Sequence, residues 1–110
     1  MKTSSAKAKG RNLQKWARDK ILENFPSLTE NDVRSTSMGA SGEDILFSEA
    51  AVSTLGINVE CKSRAAINVY SMYEQAAKES KGTEPVLFIK QNHSKPLVVV
   101  DAEYFLELLK

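Results

Sequence analysis

Hydrophobic positions recur at helical spacing from residue 11 onward: Leu13, Trp16, Ala17, Ile21 and Leu22 form one stripe, with Lys15, Arg18 and Asp19 elsewhere. Phe25-Pro26 closes the segment, because a residue before proline is driven out of the helical region. Residues 27–43 show no period. Ser27, Thr29, Asn31, Asp32, Ser35, Thr36, Ser37 and Ser41 favour turns and caps, and Gly39 and Gly42 permit unusual backbone angles, so the stretch reads as irregular. Part of residues 28–33 fits a helical turn capped by Thr29. Ile45-Leu46-Phe47 reads as a short strand, while residues 50–55 fit a strand or a turn of helix equally. Residues 57–62 alternate, with Ile57, Val59 and Cys61 on one face and Asn58, Glu60 and Lys62 on the other, as a half-buried strand does.

Helical spacing returns with Ile67, Tyr70, Met72, Tyr73 and Ala76-Ala77 and stops at Lys81-Gly82. Residues 85–90 and 96–100 are β-rich runs joined as a hairpin through residues 91–95. Asp101 caps a last helix, 102–109, with Phe105, Leu108 and Leu109 predicted to face inward. The order helix, strand, strand, helix, strand, strand, helix predicts an α/β sandwich with a mixed sheet.

A chain of 110 residues is one compact domain with a modest core. No apolar run approaches the roughly 20 residues that span a bilayer, and the lysine-bearing N-terminus has no apolar segment of a secretory leader. Cys61 is the single cysteine, which excludes an intrachain disulfide and a cysteine-based zinc site and fits a reducing cytoplasm. The net charge of +1 points to no partner, but its distribution does. Residues 1–20 hold seven basic side chains against Asp19 alone, or +6, and the remaining ninety hold 8 basic and 13 acidic ones, or −5. Residues 1–9 read as a disordered basic arm suited to phosphates or simply solvated, ahead of a single domain over 10–110.

The segment that carries chemistry is Gly42-Glu43-Asp44-Ile45 followed by Val59-Glu60-Cys61-Lys62. Residues two apart in a strand share a face, so Glu60 and Lys62 project together while Val59 and Cys61 hold the core side. If the strand after Asp44 is the neighbour, its carboxylate reaches the same spot. Two carboxylates side by side repel unless a cation sits between them, and oxygen ligands of this kind suit Mg²⁺ or Mn²⁺. Such an ion activates water against a phosphodiester, and a lysine beside it orients that water or stabilises charge. A lone Glu-x-Lys on a strand is common on solvated faces; an aspartate ahead of an apolar strand at this distance makes the pattern more specific.

That pattern, with Gln75 on the following helix, resembles the PD-(D/E)XK nuclease superfamily, and within it small Holliday-junction-resolvase-like nucleases, many of them carried by phages. The resemblance runs from about Gly10 to the C-terminus. It implies a restriction-endonuclease-like core, a mixed central sheet flanked by helices. It implies that Asp44 and Glu60 are metal ligands, that the Cys61 backbone carbonyl completes the ion's shell, that Lys62 is the catalytic lysine, and that Gln75 lies near the metal or the scissile phosphate. Resolvases also carry a metal-ligating glutamate on the first helix, where this chain has Gln14, a neutral and weaker ligand. Glu43 stands where the motif has its proline.

The resulting expectation is a Mg²⁺- or Mn²⁺-dependent endonuclease acting on duplex or branched DNA. It is resolvase-like or site-specific in the manner of homing and restriction enzymes, and leaves 5′-phosphate and 3′-hydroxyl ends. A homodimer is expected because one site cuts one strand, and the cytoplasm (the host's, for a phage-encoded chain) is its place. Lys9, Arg11, Lys15, Arg34, Ser37, Ser41 and Arg64 are candidate nucleic-acid contacts. Glu43 could be a second acid at the metal but reads first as lying across the strand from Asp44 or in the turn; His93 reads as a surface turn residue, and Cys61 as core rather than nucleophile. Trp16 could stack on a base but reads first as core or dimer packing, and Tyr70 and Tyr73 read first as helix packing. The competing expectation is a catalytically inactive nuclease fold that only binds nucleic acid, though two neighbouring acids near DNA cost binding energy without a metal. RNA cleavage stays open, since nothing in the sequence distinguishes the sugar.

Overall fold

The computed structural model describes residues 3–36 and 44–110. Its elements are α1 (Thr3–Asn24), β1 (Val33–Ser35), β2 (Ile45–Phe47), α2 (Glu49–Leu55), β3 (Ile57–Arg64), α3 (Val69–Glu79), β4 (Glu84–Gln91), β5 (Leu97–Val99) and α4 (Ala102–Leu108). β3 and β4 pair in parallel, with Glu60 opposite Leu87, and β5 adds antiparallel to β4 through the turn at residues 91–95. β1 and β2 form a separate antiparallel ribbon, Val33 opposite Phe47. The architecture is thus α/β, with a mixed three-stranded sheet flanked by helices. Among the described residues no helix is long and apolar enough to cross a membrane.

The predicted stripe on α1 supplies one side of the core: Leu13, Ala17 and Ile21 are buried against Val33, Ile45, Val59, Cys61 and Val86. The helix ends at Asn24, ahead of Phe25-Pro26. It begins at Thr3, however, so most of the stretch expected to be a disordered arm is helical. Alanine and lysine are strong helix formers, and extending a helix already anchored by packing is far easier than nucleating one. α3 covers the opposite face of the sheet, where Ala76 and Leu87 are buried. β3 is therefore not half-buried as its alternation predicted: Asn58 and Glu60 are as enclosed as Val59 and Cys61.

Three further differences have local causes. Residues 28–33 form a turn rather than a helix, because Asp32 accepts from both the amide and the hydroxyl of Thr29. Val33–Ser35, expected to be irregular, is a strand because β2 supplies its ladder. The last helix does not turn its apolar side inward: Phe105, Leu106, Leu108 and Leu109 are all exposed, and α4 packs only slightly against the rest of the fold. Asp101 does cap it, accepting from the Tyr104 amide at 3.0 Å.

Residues 49–55, ambiguous in sequence, are helical because both ends are stopped. Ser48 accepts from the Ala51 amide at 3.1 Å, and Gly56 closes the other end in the left-handed region at φ 63°. The Ser48 hydroxyl also donates to Asp32 at 2.6 Å. Together with the Thr29 amide this bond holds the Asp32 carboxyl below the usual carboxylate range. Ser48→Ala is expected to cost about 1–2 kcal/mol in urea-unfolding stability; a loss under about 0.5 kcal/mol contradicts this role.

Candidate functional site

In a parallel pair only alternate residues turn their amides to the partner strand, so β3 presents every second amide on its other edge. The Cys61 amide lies on that edge and donates to Asp44 Oδ2 at 2.5 Å. Asp44 is also tied through its carbonyl, which accepts from the Thr36 amide at 3.0 Å. An aspartate at the start of β2 is thereby seated beside the centre of β3, which spacing alone did not determine.

Glu60 and Lys62 share the face of β3 that meets the C-terminal turn of α3, where Asn58 donates to Ser80 at 3.2 Å. Glu60 is 4% exposed, and its Oε1 lies 3.7 Å from Lys62 Nζ. That separation is a charge contact rather than a hydrogen bond. Glu60 Oε2 is buried and has no hydrogen-bond donor among the described residues. Burial first, then the negative charge of Asp44, then contact with the carboxyl of Glu79 and its charge push Glu60 up to about 8, with Lys62 offsetting part of the rise. Asp44 is raised too, chiefly by burial and then opposed by the Cys61 amide and by Lys62. The Cys61 thiol is packed in the core, and burial and then both acids push it up.

Glu79 is the member of this cluster that the sequence reading missed. Gln75, expected at the site, is exposed on α3, one turn before Glu79. Glu79 Oε2 is buried and without a hydrogen-bond partner among the described residues. The signal was present: Met72, Ala76 and Glu79 are spaced i, i+4, i+7, which puts an acid on the core-facing stripe of its helix.

A cleft of about 430 Å³ opens beside Asp44, between the N-terminal half of α1 and the end of β3; Glu60 and Glu79 lie behind it and do not line it. Asp44, Cys61 and Lys62 line it from the sheet side, Gln14 and Lys7 from α1, and Arg64 from its rim. Gln14 is 2% exposed and lines this cleft. Lys9 lines a neighbouring cleft and donates to Asn92 at 2.8 Å. Arg11 and Lys15 are exposed on α1 and Arg34 on β1, and none of the three lines the cleft. Glu43, Ser37 and Ser41 lie outside the described residues. His93 occupies the β4–β5 turn in the left-handed region, φ 63°, and Tyr70 is 81% exposed rather than packed.

The groups able to hold a metal here are the Asp44 and Glu60 carboxylates, the Cys61 carbonyl and the Gln14 amide. Among the described residues no three His, Cys, Asp or Glu side chains are arranged to hold an ion by themselves. From the described residues a cation here would draw on the two carboxylates, the Cys61 carbonyl and the Gln14 amide, with water.

Comparison with known proteins found no matching family description, no similar curated protein and no similar solved structure.

Proposed function

We propose that this chain is a divalent-metal-dependent nuclease of the PD-(D/E)XK kind, hydrolysing DNA phosphodiesters at the recess of Asp44, Glu60 and Lys62. The observation that carries the reading is the buried Glu60 oxygen with no donor among the described residues, its carboxyl crowded by those of Asp44 and Glu79 and faced by the Lys62 ammonium group. Buried acids in such company are costly unless a cation joins them. The available donors are hard oxygens, and Mg²⁺ typically takes one or two carboxylates and keeps several waters. When bound, such an ion offsets charge growing on the phosphate and acidifies water.

The chain's own residues have separate tasks. The Cys61 amide holds Asp44 in place before substrate arrives, so little reorganisation is needed. Lys62, 16% exposed at its side chain, reaches from the recess toward the cleft, where it orients the attacking water or steadies charge on a non-bridging oxygen. Lys7 and Arg64 meet flanking phosphates at the cleft walls. Attack of water on phosphorus breaks the bond to the 3′ oxygen, which takes up a proton, leaving 5′-phosphate and 3′-hydroxyl ends.

The test is a panel of labelled duplex, single-stranded, flap and four-way-junction DNA with Mg²⁺ or Mn²⁺, and with chelator. Cleavage of at least one substrate that stops with chelator is expected. Binding in every lane without cleavage in any metal points to a nuclease fold that only binds nucleic acid.

A homodimer belongs to the same reading, since duplex cleavage needs two recesses. Exposed Phe105, Leu106, Leu108 and Leu109 on α4, with Leu97 and Val98 on the edge strand β5, give the second copy an apolar surface. Their exposed area is on the order of 600 Å², near the roughly 800 Å² per partner of a standard interface. Leu106→Glu with Leu109→Glu is expected to convert a dimer to a monomer in light scattering without changing the circular dichroism spectrum. A monomeric wild type, or a dimer that survives both substitutions, removes this interface.

A further inference from the structure

A second cleft, about 310 Å³, lies on the same side of the sheet as α1 and shares Ser63 with the first. Lys9 and Trp16 of α1, Lys90 at the end of β4, and Pro96 form its walls, and among the described residues no acid lines it. Both clefts are lined by residues in the C-terminal parts of the parallel strands β3 and β4, the end of the sheet where α/β folds commonly bind ligands. Trp16 meets Phe88 edge-on, with ring centroids 6.5 Å apart, and Lys20 stands 5.9 Å from its centroid. The ring is still 39% exposed, although its place on the apolar stripe of α1 would allow full burial. A partly exposed aromatic ring sharing a cleft with a proline and two lysines suits a flat molecule with an anionic tail.

We propose that this cleft takes an unpaired base of the nucleic-acid strand being cut. The base stacks on Trp16 against Pro96, its phosphate meets Lys9 and Lys90, and the chain passes Ser63 toward Asp44, Glu60 and Lys62. The proposal rests on the nuclease reading and sharpens it. Bases inside a duplex are stacked and cannot enter, so the preferred substrate carries an unpaired stretch beside the cut. Base–aromatic stacking tolerates any base, so the cleft confers a preference for structure rather than sequence.

Trp16 is the chain's only tryptophan, so its emission reports on the cleft alone. The experiment titrates the protein in chelator, which prevents cleavage, with oligo(dT), oligo(rU) and a blunt hairpin duplex of equal length. Quenching by either single strand, well beyond that by the duplex, is expected, and the ratio of the two identifies the preferred sugar. By anisotropy of labelled oligo(dT), Trp16→Leu and Lys90→Ala are each expected to weaken binding about tenfold, and Trp16→Phe to retain most of it. Duplex binding is expected to change less than twofold. Absent quenching, equal quenching by duplex, or unchanged affinity in both Trp16→Leu and Lys90→Ala overturns the proposal. Cleavage in the metal panel without quenching removes this cleft and leaves the nuclease reading intact; quenching without cleavage in any metal removes the nuclease reading.

Discussion

Replacing Glu60 with glutamine, Asp44 with asparagine or Lys62 with alanine is expected to lower metal-dependent DNA nicking by at least about 10²–10³-fold each, the scale on which loss of one preorganised charge usually acts. The reasons differ by residue. Asp44→Asn keeps an acceptor for the Cys61 amide, so the ribbon stays docked while one anionic ligand is lost. Glu60→Gln removes charge from a side chain with no room to relax. Lys62→Ala removes the cation 3.7 Å from Glu60 and leaves the acids more crowded still. The losses are not expected to add, because the three groups act on the same phosphate. Gln75→Ala, exposed on α3, is the control and is expected to stay within about threefold of wild type. Wild-type nicking in all three site variants means that the chemistry lies elsewhere.

Without divalent metal, the protein is expected to lose stability as pH rises from about 5 to 8. The sign follows from Glu60, whose carboxyl is raised from an ordinary value of 4.5 to about 8 on folding. Between those values the folded state holds a proton that the unfolded state has released, so unfolding becomes easier with each step upward in pH. The penalty is absent below the unfolded value and complete above about 8. Asp44, also raised, adds in the same direction. At pH 8 the melting temperature is expected to lie roughly 5–10 °C below that at pH 5.5, for a deficit of about 1–2 kcal/mol in a domain of this size. Mg²⁺ or Mn²⁺ should recover most of it by binding the folded state alone. Glu60→Gln should flatten the pH profile and abolish the recovery. Differential scanning calorimetry with and without metal reads both; a wild-type profile flat with pH and metal contradicts the crowding of acids.

The alternation of residues 57–62 made Glu60 and Lys62 legible as a pair on one face, since strand geometry leaves them no other arrangement. What covers that face was not legible, because α3 contributes it from a distant segment. Gln75 was named through the resemblance alone, and Glu79, although on the core-facing stripe of α3, was not considered. Asp44 was singled out by its place ahead of an apolar strand, but how it reaches β3, through the Cys61 amide, was not legible. The strand Val33–Ser35 escaped notice because a three-residue strand among turn formers has no periodicity and depends on its partner. The apolar run in α4 is a helix as expected, but amphipathicity cannot say whether an apolar face meets its own core or another chain.

Metal binding to the chelator-treated protein at pH 7.5 is the most direct measurement, followed by calorimetry or by the paramagnetic signal of free Mn²⁺. Saturable binding at the recess, lost in both Asp44→Asn and Glu60→Gln and kept in Gln75→Ala, is the expected result. No binding by the wild type, or binding that survives both substitutions, contradicts a divalent ion held between residues 44 and 60.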